Sequence, residues 1–271
     1  MSYRTACKLV NECTPRDSGT MQGKTAAYRI LDAVSSAGAD AYIDHFKTKT
    51  PKGPRDMYNV YATFINNPTS DWTVVISHFD TKSGISCPGA NDGASTTGLL
   101  VGIANALMRW RAPSGNIMLV WTDGEECMRH YSSDDGLHGS RRAVQEIKRK
   151  RYNVQAAICV DMLGDKNLNI SIPRNSSPAL ANIAKYAAGK IGEKSLVKQI
   201  DDSIIDDHVP FLEGGIKAIS LIDFHYGTKP NLNDLWHTKN DIIENISEAS
   251  LLKSGRLVLE MLKVLHQNVA S

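Results

Sequence analysis

An α/β fold, with a parallel-rich sheet covered by helices on both faces, is predicted by three features of this 271-residue chain. From Trp72 onward, short runs of strand length alternate with longer runs of helical periodicity, the order that crossovers between parallel strands produce. The strand-like runs are apolar along their length, as strands buried on both faces are. A long amphipathic stretch from Ser247 to Val269 supplies a helix to pack on the sheet. With no internal repeat and no low-complexity linker, residues 1–271 read as one domain.

Taken in order, residues 1–24 carry a turn-rich piece, Thr14 to Thr20. A helix follows, with Ala26, Ile30, Leu31 and Val34 on one face and an end near Gly38. Ala41 to Phe46 and Met57 to Ile65 read as strands separated by the breakers Pro51 to Pro54. A third strand runs from Trp72 to Ser77, and an apolar helix from about Ser95 to Trp110. Ile117 to Thr122 is a buried strand stopped by the turn Asp123-Gly124. A helix ending near Arg151 precedes a strand from Val154 to Val160, with a further strand at Leu168 to Ile172. The helix Pro178 to Ile191, the strand Ile216 to Ile222 and a Gly/Pro/Asn-rich loop at 226–234 lead to the final helix.

Composition narrows the function. Hydrophobic residues make up 42% and charged residues 22% of the chain, ordinary for a globular enzyme. A formal charge of +2 without a basic patch argues against a nucleic-acid partner. No apolar run reaches membrane-spanning length, and the first ten residues lack the apolar core of a signal peptide. The compartment stays open, an exported mature form included. Five cysteines without CxxC spacing make no disulfide framework, although Cys7 and Cys13 are free to pair.

Chemistry-bearing residues collect where apolar strands end, the edge at which open α/β sheets bind ligands. His78 follows the third strand, with Asp80 two residues on to hold its other ring nitrogen. Glu125 and Glu126 follow the strand at 117–122, and Asp161 follows the strand at 154–160. Adjacent carboxylates at a buried strand end repel one another and resist burial. A cation offsets that cost. Asp92, just ahead of an apolar helix, is either a helix cap or a carboxylate bridging two metal ions. With His237 the set holds two imidazoles and three carboxylates as candidate ligands, a mixture of N and O donors that suits one or two zinc ions. Glu125, beside the ligand Glu126, is then the general base and acid.

These residues resemble a known family. His78-x-Asp80, Gly89 to Ser95, Asp123 to Glu126, Gly139-Ser140, Asp161-Met162-x-Gly164, Asp207-His208-x-Pro210-Phe211 and Trp236 to Thr238 are similar to the zinc-dependent exopeptidases of the bacterial leucyl aminopeptidase type, peptidase family M28, over roughly residues 15 to 265. The resemblance implies a three-layer phosphorylase/hydrolase-like sandwich with a mixed sheet. It implies the ligands His78, Asp92, Glu126, Asp161 and His237, with Glu125 as catalytic acid/base. The same fold carries glutaminyl-peptide cyclotransferases, which the spacer from Cys127 to Leu137, the Asp206-Asp207-His208 run and Trp236 also resemble. That second resemblance implies one zinc on Asp92, Glu126 and His237, with Asp161 and Asp206 assisting proton transfer. Where animal cyclases carry an indole in the spacer, this chain has Tyr131.

An aminopeptidase acting on peptides is therefore the expected function, with Asp206 and Asp207 holding the substrate's α-ammonium and Tyr131 and Trp236 lining its pocket. The full ligand set and the missing indole favour it over the alternative, a glutaminyl-peptide cyclotransferase forming N-terminal pyroglutamate. A catalytically inactive peptide-binding module is the weakest reading, because Glu125 and every proposed ligand are present.

Overall fold

A computed structural model of the chain describes residues 1–109, 115–229 and 233–267. The expected helix end at Trp110, part of the loop at 226–234 and the last residues of the final helix, to Val269, lie outside them.

Among the described residues, eight strands form one mixed sheet: β1 (Asp40–Thr50), β2 (Gly53–Phe64), β3 (Trp72–His78), β4 (Asn116–Thr122), β5 (Val154–Asp161), β6 (Ile170–Ile172), β7 (Val197–Gln199) and β8 (Ala218–Ile222). Their order is β1-β2-β4-β3-β5-β8-β6-β7. The central strands β4, β3, β5 and β8 are parallel, while β1, β2 and β6 make the antiparallel pairings toward the edges. Every residue of β3, β4 and β8 is buried. Successive side chains point to opposite faces, so each strand feeds two cores. Val75, Leu119, Ile158 and Ile219 face one side, where they join α1 (Ser2–Cys13), α2 (Met21–Ser36), α3 (Thr96–Arg109), α5 (Pro178–Lys190) and α7 (Glu248–Gln267). Val74, Ile76, Met118 and Val120 face the other, against Val144 and Ile147 of α4 (His138–Lys150) and Phe211 of α6 (His208–Glu213). Burying each such aliphatic side chain stabilises the fold by roughly 1.5–3 kcal/mol before entropy is counted. The layers are thus helix, sheet, helix, as expected from the sequence. Among the described residues, no helix is long and apolar enough to cross a membrane.

Local features differ from expectation at the hairpin, at α1 and at β7. The hairpin strands are longer than predicted: Thr50 pairs directly with Gly53, so the breaker run contributes only a tight turn. Helix α1 and the short strand β7 were not expected. The buried face of α1 consists of Ala6, Leu9 and Cys13, residues too small or too few to stand out as an amphipathic pattern. It seats closely on α3 because Gly98 has no side chain there; a Cβ at that position would lie 2.3 Å from the Ser2 carbonyl oxygen. All five cysteines are free, in line with a spacing that makes no disulfide framework. Cys7 and Cys13 lie on one helix six residues apart, a rise of roughly 9 Å, beyond disulfide reach.

Candidate metal centre

The parallel register brings the strand ends level. His78, the last residue of β3, pairs with Thr122, the last of β4, and Asp161 closes neighbouring β5. Beyond Thr122 the chain turns at Gly124, whose φ of 73° a side chain would strain. Asp123 ties this turn back to β2 by accepting the Tyr58 backbone N–H at 2.9 Å. Glu125 and Glu126 then project over the sheet edge. Asp92 arrives from a kinked turn, Ala90–Ser95, that leads into α3, and His237 from a loop residue held at φ 54°.

All five predicted ligands converge. One group comprises His78, Asp92 and Asp161, and the other Asp92, Glu126 and His237; within each, one donor atom per residue lies within 4.8 Å of the others. His78 Nε2 is 3.0 Å from Asp161 Oδ1 and 3.2 Å from Asp92 Oδ1. His237 Nε2 is 2.7 Å from Glu126 Oε1 and 3.2 Å from Asp92 Oδ2. Each imidazole nitrogen thus faces two carboxylates, yet it carries at most one proton to give. Asp92 Oδ2 and Glu126 Oε2 are buried and lack a hydrogen bond. Donors aimed at common points, with acceptors left over, suit a cation at each point better than they suit a hydrogen-bond network.

The electrostatics agree. Burial pulls the His78 pKa down, but Asp161 outweighs it and the net shift is well upward. His237, likewise lowered by burial, is raised overall to about 9, chiefly by Asp92. Burial lifts Asp161 to about 7. Both imidazoles are drawn toward their cationic forms, a demand for positive charge that a divalent ion satisfies. Asp92, despite burial, is held low by the neighbouring imidazoles of His237 and His78.

Glu125 does not join either ligand group. Burial, followed by the charge of Glu126, pushes its carboxyl well above the usual range. The Tyr131 hydroxyl donates to Glu125 Oε1 at 2.9 Å. Tyr131 and Trp236 both line the pocket over the centre, together with Ile204, Ile205 and Phe224. Trp236 stacks on His237 with ring centroids 3.8 Å apart.

Three residues expected at the site make contacts other than those expected. Asp80 is 3.7 Å from His78 Nδ1, too far for a hydrogen bond. Its carboxylate instead accepts the backbone N–H groups of Glu125 and Glu126 at 3.1 and 3.2 Å, fixing the loop that carries both glutamates. Asp207 is not among the residues that line the pocket and accepts from Thr122 Oγ1 at 2.5 Å. Asp206 lines the pocket, but its oxygens are engaged by Ser220 Oγ at 2.6 Å, by the Cys159 thiol and by the Asp207 N–H.

Other residues at the site were not singled out from sequence. Lys82 lies 3.4 Å from Glu126 Oε2 and donates to Cys127 Sγ at 3.1 Å. Asp241 accepts the N–H groups of Asn91 and Asp92. Asn91 Oδ1 accepts the Gly164 N–H, linking the Asp92 turn to the chain beyond β5. Arg16, fully buried, donates to backbone carbonyls around the same turn. No local spacing flags these residues, because each acts across a long stretch of chain.

A mixed α/β sheet with two carboxylate–imidazole groups sharing one aspartate at its strand ends defines a metal-dependent enzyme of the zinc exopeptidase class. Residues 59–262 match the model of peptidase family M28, and the chain belongs to that family. A bovine glutaminyl-peptide cyclotransferase-like protein is 26% identical over 279 residues, covering 90% of this chain and 70% of the relative. The solved structure of an Acidobacteriales bacterium glutaminyl cyclase superposes with TM-score 0.90 at 31% identity, covering 98% of this chain and 94% of that one. A Zn-dependent exopeptidase from Parabacteroides distasonis has the same fold, with TM-score 0.84 at 24% identity and coverage of 97% and 96%. Family and donor set together specify zinc as the cofactor.

Proposed function

We propose that this protein is a zinc-dependent glutaminyl-peptide cyclotransferase, converting an N-terminal glutaminyl residue to pyroglutamate with release of ammonia. The observation that carries the reading is the likeness, over nearly the whole chain, to a glutaminyl cyclase at 31% identity. Relatives matched by sequence bear cyclotransferase names as well. This reverses the preference for an aminopeptidase. The five-ligand set is common to both readings and so does not decide between them. The absent indole loses its force, because Tyr131 supplies an aromatic pocket wall and a hydroxyl on Glu125.

In this reading Asp92, Glu126 and His237 hold the zinc, which when bound supplies Lewis acidity to the substrate's side-chain amide carbonyl. Glu125 accepts the proton that the α-amine loses as its nitrogen bonds to the γ-carbonyl carbon. It then returns that proton to the departing amide nitrogen, so that ammonia leaves and no water is consumed. Tyr131 holds the Glu125 carboxylate in place during both transfers. Trp236, Phe224 and Ile204 wall the pocket and keep bulk water from competing with the amine. Asp161, with a pKa raised to about 7 by burial, sits where it can share protons with this relay.

The second donor group, His78 with Asp92 and Asp161, favours an aminopeptidase as the other reading, since it offers a second cation position. Purified zinc-loaded protein should release ammonia from a glutaminyl peptide and leave a blocked N-terminus. Release of an amino-acid arylamide without ammonia release from the glutaminyl peptide would reverse the assignment.

A further inference from the structure

The turn that presents Asp92 is gripped on both sides by side chains distant in sequence. On one side, the Asp241 carboxylate accepts the N–H of Asn91 at 2.7 Å through Oδ1 and the N–H of Asp92 at 3.0 Å through Oδ2. The Tyr226 hydroxyl donates to Asp241 Oδ1 at 2.8 Å and orients it. On the other side, the Arg16 guanidinium donates to four carbonyls: Phe79 at 2.5 Å, Pro88 at 2.7 Å, Gly89 at 2.6 Å and Asp92 at 3.3 Å. Arg16 and Asp241 are both 0% exposed. Phe79 directly follows His78, so this one guanidinium touches the backbone beside ligands of both donor groups.

We infer that Arg16 and Asp241 act as a paired positioning clamp that fixes the peptide planes around Asp92 and so sets the affinity of the centre for zinc. Asp92 is the residue the two donor groups share, and a shared ligand tolerates the least rotation. Its turn is irregular, with Asp92 at φ −81° and ψ 96° and Gly93 at φ 93°. Its own backbone bonds are few, the Ala94 N–H to the Gly89 carbonyl at 3.1 Å and the Thr96 N–H to the Gly93 carbonyl. The clamp adds to them, with carboxylate oxygens on the N–H groups of Asn91 and Asp92 and a planar cation on the carbonyls of Pro88, Gly89 and Asp92.

The local sequence is shaped to admit Arg16. A Cβ at Gly89 would lie 2.8 Å from Arg16 Nη2, and one at Gly93 would lie 3.2 Å from it. Burying a guanidinium whose partners are nearly all neutral carbonyls is expensive, and a purely structural contact between these loops could be made by apolar side chains. Charge is conserved across the turn instead: the negative Asp241 and positive Arg16 face each other through the peptide groups of residues 89–92. Arg16 lies outside the stretch 59–262 that matches the family model, so the clamp joins an N-terminal segment to the family core. The inference concerns metal binding and holds whichever peptide reaction the centre performs.

The test is zinc affinity, measured on the full chain by competition with a chromophoric chelator, at a temperature where circular dichroism shows each variant folded. Arg16→Lys keeps the charge but loses the planar fork, and Asp241→Asn keeps the shape but loses one acceptor. Each is expected to weaken zinc binding about 10–100-fold, the usual cost of removing a partner that orients a ligand. The double variant should lose less than the sum of the two, because both act on one turn. Val144→Ala, in the core on the opposite face of the sheet, serves as a stability control and should leave zinc affinity unchanged. Affinity within about twofold of the parent in either folded single variant, or strictly additive losses, would overturn the clamp. A matching loss in Val144→Ala would overturn it too, by showing that lowered stability alone accounts for the effect.

Discussion

The two imidazoles of the centre sit in unlike surroundings. His78 ends an entirely buried strand, its side chain only 2% exposed, with its ring nitrogen against Asp161. His237 stands on a loop in a left-handed conformation, 17% exposed and stacked on Trp236. One side of the centre is made by the sheet and is closed. The other is made by loops and opens on the pocket. Rigidity comes from the first and access for substrate from the second, and Asp92 belongs to both.

The largest expected effect lies on the open side. Glu125→Gln should lower kcat/KM by about 10²- to 10⁴-fold, the range typical of a lost general acid/base, while elemental analysis finds zinc retained. Activity near the parent level would remove Glu125 from the reaction. Next, His237→Ala and His78→Ala separate the two sides. If one zinc on Asp92, Glu126 and His237 suffices, chelator competition should find affinity lowered by roughly 10–100-fold more in His237→Ala than in His78→Ala. Equal losses would mean that both donor groups bind catalytic metal.

A smaller effect is expected at Tyr131. Its hydroxyl donates to the Glu125 carboxylate, and such a bond favours the charged form. Burial and Glu126 hold the Glu125 pKa above the ordinary 4.5. Activity that needs the ionised base therefore falls as pH drops through that raised value. Tyr131→Phe removes a stabiliser of the anion, so the acid limb of the kcat/KM profile should move to higher pH. A limb that stays put, or moves down, would dissociate the hydroxyl from Glu125. The smallest change is expected on the closed side: Cys159→Ala removes a weak thiol donor from Asp206, and thermal melting should register a loss of no more than about 1 kcal/mol.

The contrast also tracks what could be read from the sequence. His78, Glu125, Glu126 and Asp161 follow runs of residues apolar enough to be recognised as buried strands, and parallel strands bring such ends to one edge. Asp92 was read from its place just ahead of an apolar helix, with a helix cap as the alternative, and His237 was added to complete the donor set; nothing in a glycine-rich turn or an irregular loop predicts where its side chains meet, and the family resemblance supported both. Asp80 was assigned to the wrong partner because two residues of spacing cannot say whether a carboxylate faces a ring or a neighbouring loop. Asp207 was grouped with Asp206 as an acidic pair for the substrate, but adjacency in sequence does not say which partners each carboxylate meets: Asp207 accepts from Thr122 and Asp206 from Ser220. Helix α1 was missed because alanine, cysteine and a single leucine carry its buried face. Arg16 and Asp241 meet only through the backbone between them, a relation without any periodic signature.

The segment from Cys127 to Gly136 has a further use. Its two ends are pinned together, with the Leu137 and His138 N–H groups bonded to the Glu125 and Gly124 carbonyls at 2.9 Å. Its interior is organised by one carboxylate, Asp135, which collects the N–H groups of Met128, Arg129 and His130. A loop closed at its base and braced from within can be exchanged as a cassette without disturbing the strands beneath it. Because Tyr131 of this segment lines the pocket over the centre, the wall of that pocket can be varied by exchanging residues between Glu125 and Leu137.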